Sequence, residues 1–522
     1  MKKLIFLLIP LICVLLLVSC DLNIQEKIEE MSNNLKDGII DAVGPFIEKD
    51  TSSDLKGDEV LDNDSNSLPS DIPTDIPSDI PSDIPSDIPS DIPTDIPTDS
   101  EGDNTPDVPE VPVIPEIPEY IVLEREKYPL NKYTGLDIFR VGSSFKDNEY
   151  KFRTAYGYGR YETTLNELTG AHPLAYFSIS GMESNVHIDF DLSKSKFEAA
   201  EGEISFAEIT SKIHEFAKKY CVKSLTSNLK RLEIGSYSDT SISAKDYALL
   251  LNLIYDNNCK QNGYDVENPG TTFINPNIRL ITGKMSTFNL PYIKELMNEV
   301  ELLRDDDFLP IGGWSFSVNT QGKTPEEIFF ENNELKELIA YRNENYNSIE
   351  ILLNDIAWDT VNEQSEQYVA PINNYTSEEI QAMYILRTYL LLNGMDVDKV
   401  SYDLLNDTET NGSGLIDKNG NQKLSFKLLE YFKTKMNGMY LNEVVSNGEN
   451  GIFCYKYENE KGKTIYAFWS PDGATVNLFN MPESVTLSYY NPTTKSYEDM
   501  EKTQSDGLFY KLADSTVMFV EY

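Results

Sequence analysis

Between Tyr128 and about Gly438, short apolar runs alternate with helix-like segments, and this alternation leaves the chain few folds to choose from. Strands separated by helices cannot pair as hairpins; each helix crosses over and delivers the next strand parallel to the last. The helix starts are marked by capping boxes at Ser205-x-x-Glu208, Thr324-x-x-Glu327 and Thr376-x-x-Glu379, and Pro325 occupies a first helical position. Helices are predicted at about 205–220, 244–262, 291–304, 325–342, 376–393 and 425–437. The runs Leu229–Gly235, Ile278–Thr282, Gly313–Val318, Ile349–Asn354 and Val397–Leu405 read as strands four to eight. The first three are drawn from Leu136–Gly142 and Leu174–Ser180, with Lys151–Gly157 or Asn185–Asp191 as the third. This is the pattern of an α/β chain forming a (β/α)8 TIM barrel over 120–440.

Beyond residue 440 the helices stop. Gly451–Tyr457, Thr464–Trp469, Ala474–Phe479, Ser484–Tyr490 and Ser515–Glu521 read as strands, separated by turns such as Pro471-Asp472-Gly473 and Asn491-Pro492. A small antiparallel β-sandwich over 441–522 is expected.

The N-terminal part cannot belong to either domain. Met1-Lys2-Lys3 and the apolar run Leu4–Val18 have the charged and apolar regions of a secretory signal, too short for the ~20 residues of a membrane span. The run ends Leu17-Val18-Ser19-Cys20, which resembles the lipobox of bacterial lipoproteins. That implies removal of 1–19, acylation of Cys20 and contact with the membrane through this lipid only. Ile24, Ile28, Met31, Leu35, Ile39 and Val43 recur at helical spacing within 20–50. Residues 51–119 form a linker containing Pro-Ser/Thr-Asp-Ile repeats from Pro69 to Asp99. Proline at every fourth position blocks helix and ladder, and nineteen acidic side chains against Lys56 make the linker repel itself. It reads as a disordered stalk that would reach up to roughly 200 Å in polyproline II geometry. An extracytoplasmic, lipid-anchored protein displayed at the cell surface is expected.

The net charge of −42 disfavours nucleic acid as a partner, because phosphate binding needs a basic face. Of the five cysteines, Cys13 leaves with the signal and Cys20 carries lipid. Cys221, Cys259 and Cys454 read as buried thiols, with a Cys221–Cys259 bridge as the alternative.

Chemistry concentrates where strand four ends, at Leu232-Glu233-Ile234-Gly235-Ser236-Tyr237-Ser238-Asp239. This segment resembles the fourth strand of retaining glycosidases on (β/α)8 barrels, which usually reads Leu-Glu-Ile-Gly-Asn-Glu-Pro-Asp, the second Glu being the general acid/base. Strand seven, Leu352-Leu353-Asn354-Asp355-Ile356-Ala357-Trp358-Asp359-Thr360, resembles Trp-Leu-Thr-Glu-Phe-Gly-Trp-Asp-Thr, in which Glu is the nucleophile. Asp246-Tyr247-Ala248-Leu249-Leu250, Gln381-Ala382 with Tyr384 and Arg387, and Tyr402 with Asp407 and Ser413-Gly414-Leu415 extend the likeness in order over about 230–440. The chain is thus similar to clan-A glycoside hydrolases of the β-xylosidase and α-iduronidase kind. The resemblance implies a carbohydrate or glycan ligand and, if the protein is active, hydrolysis of O-glycosyl bonds. It places Asp355 at the nucleophile, Tyr237 at the acid/base position, and Ser236 and Tyr402 against substrate. Asp239 is a further candidate proton source. Trp314 and Trp358 lie near strand ends, where an indole face suits sugar stacking.

Both diagnostic glutamates are altered. Retaining hydrolysis needs two carboxyl groups about 5–5.5 Å apart. An aspartate is one methylene short, and tyrosine, ordinarily titrating near ~10, shuttles protons poorly at neutral pH. Three outcomes stay open: a hydrolase with unusual chemistry, in which Asp239, Tyr237 or an inverting partner such as Asp403 or Asp407 substitutes; a sugar-binding pseudoenzyme; or a surface adhesin or structural lipoprotein. No cofactor and no metal are expected. His172, His187 and His214 have no metal spacing, and His214 reads as a surface residue. His187, Asp189 and Asp191 alternate as a polar lining of one strand face. Asp407-x-Glu409-x-Asn411-Gly412 matches a calcium loop only in part, since Lys418 replaces the closing glutamate.

Overall fold

The computed structural model describes residues 123–139, 157–170, 172, 174, 177, 182–221, 228–255, 277–304, 308–372, 374–403, 406–477, 484–503, 509–511 and 516–522. The predicted signal, anchor segment and linker, with Cys20 and Cys259, lie outside them.

Eight parallel strands close into a barrel: β1 Thr134–Phe139, β2 Tyr158–Thr164, β3 Glu183–Asp189, β4 Leu229–Ser236, β5 Arg279–Lys284, β6 Ile311–Ser317, β7 Glu350–Ile356 and β8 Lys399–Tyr402, with β8 pairing back onto β1. Strands four to eight fall where the apolar runs place them. The second strand does not. It is Tyr158–Thr164, whereas Leu174 and Phe177 are buried and helical, with Phe177 packed over Gly159. The reason is that β2 turns Arg160 and Glu162 into the barrel and so carries no apolar run.

Helices α1 Phe206–Tyr220, α2 Ala244–Tyr255, α3 Leu290–Leu302, α4 Asn333–Asn345, α5 Ser377–Gly394 and α6 Leu424–Lys435 pack outside. The Ser205 and Thr376 caps form as expected, α5 with both bonds of its box. The helix predicted over 325–342 is split. Thr324 and Glu327 exchange cap bonds, a π turn runs Glu326–Phe330, and Asn332 then caps a new start by accepting from the N–H of Leu335.

Much of the barrel interior is filled by paired charges in layers where branched aliphatic residues are usual, with Ile281 and Leu352 packed beside them. At the N-terminal ends of the strands, Arg231 grips Glu350 with two bonds of 2.6 and 2.8 Å, Arg279 approaches Glu350 to 3.3 Å, and Lys399 lies 3.4 Å from Glu183. One layer up, Arg160 holds Glu233 at 2.8 and 2.9 Å. Ser315 donates to Glu233, Asn354 to Ser315 and Ser401 to Asn354. Buried charge is tolerable because each group has an opposite partner and further hydrogen bonds.

Residues 123–129 run beneath this floor. Arg125 pairs with Asp396 at 3.1 Å, Arg279 donates to the Glu124 carbonyl, and the Tyr128 hydroxyl accepts from Arg231 and donates to Glu350.

The C-terminal residues form two antiparallel sheets. The larger contains β9 Tyr440–Asn447, β10 Phe453–Glu458, β11 Thr464–Trp469, β13 Ser484–Asn491, β14 Ser496–Thr503 and β16 Met518–Glu521; β12 Thr475–Asn477 pairs with β15 Phe509–Lys511. Among the described contacts, the Lys435–Glu521 ion pair at 2.6 Å, the Tyr431–Tyr497 stack and three hydrogen bonds dock this domain on the barrel. Trp469 Nε1 donates to Glu326 Oε1 at 2.7 Å, Tyr490 donates to Glu379 at 2.7 Å and Tyr457 to Asn393 at 3.2 Å. Arg387, wholly buried on α5, closes the first of these contacts by binding both oxygens of Glu326. Cys221 and Cys454 are free, buried thiols.

Candidate functional site

The C-terminal ends of β2, β4, β5 and β7 meet around one ammonium group. Lys284, the last residue of β5, sends Nζ to within 3.0 Å of Asp355 and 4.0 Å of Glu162, and 5.9 Å from the centre of the Tyr237 ring. Positions 237 and 355 are therefore both brought close to Lys284 Nζ at the mouth.

Local backbone geometry aims these groups. Asn354 turns inward toward Ser315 and Ser401, so Asp355 would normally point outward. Instead Asp355 has φ +59, where the pairing of β7 with β8 slips, and its carboxylate swings to the mouth. On β4 the alternation that puts Glu233 inside breaks at Gly235, whose φ is +73. Both Ser236 and Tyr237, the latter at φ +53, then reach the mouth. A Cβ on Gly235 would strike Leu192 at 2.8 Å, so that motif glycine serves both its backbone angle and a close contact.

The charges are tightly committed. Burial raises the pKa of Asp355, but Lys284 and then Arg160 outweigh it, and the group sits below the ordinary carboxylate range. For Lys284 the balance runs the other way: burial lowers it, and Asp355 lifts it above the usual lysine value. Glu162 is likewise lowered overall, burial being outweighed by its hydrogen bond and charge interaction with His187.

His187 is wholly buried, and its two ring nitrogens face two acceptors, Glu162 Oε2 at 3.0 Å from Nδ1 and the Gly235 carbonyl at 2.8 Å from Nε2. The Ser236 hydroxyl lies 3.1 Å from Nε2 and donates to Asp189 at 2.7 Å. The distances resemble a Ser-His-acid array, but the Ser236 hydroxyl directs its proton to Asp189 and not to the imidazole, so no activated nucleophile results. The lining expected from His187 and Asp189 is present. Asp191 leaves it to cap the turn Leu192–Lys194.

The remaining candidates lie elsewhere. Asp239 ties the turn after β4 to the turn after β5, accepting from the N–H of Ser286 at 3.0 Å and from both the Ser286 and Thr287 hydroxyls. Neither tryptophan offers a face to a ligand; both are 0 % exposed. Trp314 faces the helices and stacks on Tyr341 of α4. Trp358 stacks on Tyr402 and donates from Nε1 to the Lys323 carbonyl. Tyr402 is buried too, its hydroxyl accepting from the Trp358 N–H and donating to the Ser413 carbonyl. Trp358 and Tyr402 brace the loops after β7 and β8, Trp314 packs β6 against α4, and all three correct the expectation of direct substrate contact. His214 is half-buried rather than on the surface, and burial pushes its imidazole down to about 4.

In the partial calcium loop, a protein cation takes the central place. Lys423 Nζ donates to the Gly412 carbonyl at 2.6 Å, the Thr360 hydroxyl at 3.0 Å and Asp407 at 3.2 Å, stitching the β7 and β8 loops together. Lys423→Met is expected to lose about 1–3 kcal/mol of stability, since it strips partners from a buried carbonyl and a half-buried carboxylate. A urea denaturation midpoint equal to that of the parent protein would refute this.

Sequence reasoning missed Lys284 and Glu162. A lysine closing a strand reads as a solvated end, and Glu162 sits on the strand that was not recognised. The alternation Arg160-x-Glu162 beside His187-x-Asp189 was the available signal: charge at every second position on neighbouring strands.

No protein-family model matches the chain, and no curated protein matches it by sequence. Solved structures do match. One is a family 39 glycoside hydrolase from the gut symbiont Bacteroides cellulosilyticus WH2, with a TM-score of 0.55 at 15% identity over 77% of this chain and 82% of that one. Another is a glucosidase from Croceicoccus marinus, with a TM-score of 0.50 at 11% identity over 77% of this chain and 96% of that one. The chain has the (β/α)8 fold of clan-A glycoside hydrolases, with an antiparallel β domain after it.

Proposed function

We propose that this is a lipid-tethered, extracytoplasmic protein that binds glycans at its barrel mouth and has lost two-carboxylate retaining hydrolysis. One observation carries the loss of chemistry: the ammonium of Lys284 is 3.0 Å from Asp355, at the position that should attack, and 5.9 Å from the ring of Tyr237, at the position that should supply the proton. A carboxylate held this way is a poor nucleophile, and Tyr237 provides no second carboxyl. Glu162 does not substitute, since His187 and Lys284 already engage it. The glycan as ligand class is supported by the barrel likeness to glycoside hydrolases and by the order of the strand-four and strand-seven segments, which is an argument by analogy of fold. Binding outlives such losses because an oxygen-rich mouth still offers hydrogen bonds to hydroxyls.

Incubating the full chain with a panel of aryl glycosides and polysaccharides, alongside a glycan array, tests the reading. Binding without turnover is the expected result. Turnover that Asp355→Ala abolishes would restore a working hydrolase. Neither binding nor turnover would favour an adhesin or structural lipoprotein that uses the barrel as scaffold. For the tether, cells fed a labelled fatty acid are expected to label the parent chain and not Cys20→Ala; equal labelling removes the lipid anchor from the proposal.

A further inference from the structure

We infer that Tyr237 is a stacking platform for a neutral pyranose ring, standing where a proton donor would otherwise be; this rests on the glycan-binding reading above. Tyr237 is 46 % exposed, in contrast to the buried indoles of Trp314 and Trp358. Its backbone holds it firmly. The N–H donates to the Lys284 carbonyl at 2.6 Å, and its own carbonyl accepts from the N–H groups of Thr240 and Ser241 at 3.2 and 3.0 Å. These bonds fix the backbone that carries the ring, so that part of the ordering cost is met before binding.

Below it lies a polar floor made by Asp355, Lys284 and Glu162. An aromatic face next to convergent hydrogen-bonding groups suits a pyranose, which presents C–H groups on one side and hydroxyls at its rim. The hydroxyls would donate to Asp355 and accept from Lys284. Charge then selects among sugars. Lys284 is already shared by Asp355 and Glu162, His187 faces Glu162, and Arg160 is held by Glu233. A uronate or sulfate entering here meets the carboxylates of Asp355, Glu162 and Asp189 while Lys284 and Arg160 are spoken for, so neutral rings are favoured.

The test uses the full chain on an array of neutral oligosaccharides and their uronate- or sulfate-bearing counterparts, followed by titration calorimetry with the best neutral binder. Tyr237→Ala is expected to weaken binding by about tenfold or more, and Tyr237→Phe by no more than about twofold, because the face and not the hydroxyl makes the contact. Should Tyr237→Ala melt early, Tyr237→Phe and Tyr237→Trp carry the test, both retaining affinity. Parental affinity in a stable Tyr237→Ala, loss in Tyr237→Phe, or preference for the acidic glycans overturns the inference. Failure of the parent chain to bind any glycan would instead remove the reading on which it rests.

Discussion

Glu350→Ala is expected to destabilise the protein by about 3–5 kcal/mol, the range for breaking a buried ion pair from one side. Glu350 is wholly buried and is the acceptor around which the lower barrel layer is organised. Removing it leaves Arg231 with two unmade bonds, takes the nearest carboxylate from Arg279 and frees the Tyr128 hydroxyl. Chemical denaturation gives the measurement, and a loss below about 1 kcal/mol would show that the layer rearranges around the gap. The same residue fixes the sign of a pH effect. Burial raises its pKa, but Arg231 and then Arg279 and Lys399 outweigh burial, so the folded value lies below the unfolded one. The stabilisation is therefore complete above the unfolded carboxylate pKa of about 4.3 and is lost as pH falls toward the folded value. Acid should unfold the parent chain more steeply than Glu350→Ala, which has already lost this contribution.

Glu326→Ala is expected to cost a similar amount, about 3–5 kcal/mol, at the junction between the two domains. Its two oxygens take both bonds of Arg387, and one also accepts from Trp469. Arg387 is wholly buried, and burial already lowers its guanidinium to about 9, so loss of its anion leaves a charge with poor compensation. Calorimetry distinguishes two results. A single transition at lower temperature means that barrel and sandwich still unfold together; two transitions mean that Glu326 is what couples them. An unchanged thermogram would show that the remaining contacts, among them Tyr490–Glu379, Tyr457–Asn393 and the Lys435–Glu521 ion pair, suffice.

The barrel was legible wherever a strand buries apolar side chains toward the helices. It was illegible at β2, whose inward residues are charged and whose sequence, Tyr158-Gly159-Arg160-Tyr161-Glu162-Thr163-Thr164, looks like a solvated loop. The C-terminal sheet shows the same limit. The edge strands β9 and β14 were missed: β9 is largely exposed and β14 carries Glu498, Asp499 and Glu501, so neither has a strong apolar alternation. At the site, resemblance located Tyr237 and Asp355, because strand order fixes which ends meet. It could not supply Lys284, which acts through a long side chain crossing the mouth. The two tryptophans were misassigned for a readable reason. Ser315 turns inward to Glu233, so alternation sends its neighbour Trp314 outward, while Trp358 lies past the last strand residue, where alternation no longer speaks.

The polypeptide reaches the barrel from below. Residues 123–129 are fastened to the strand beginnings by Arg125, Glu124 and Tyr128, at the pole opposite Tyr237 and Asp355. The rim that carries Tyr237 and Asp355 is left clear of residues 123–129, so whatever enters the mouth does not have to displace that segment.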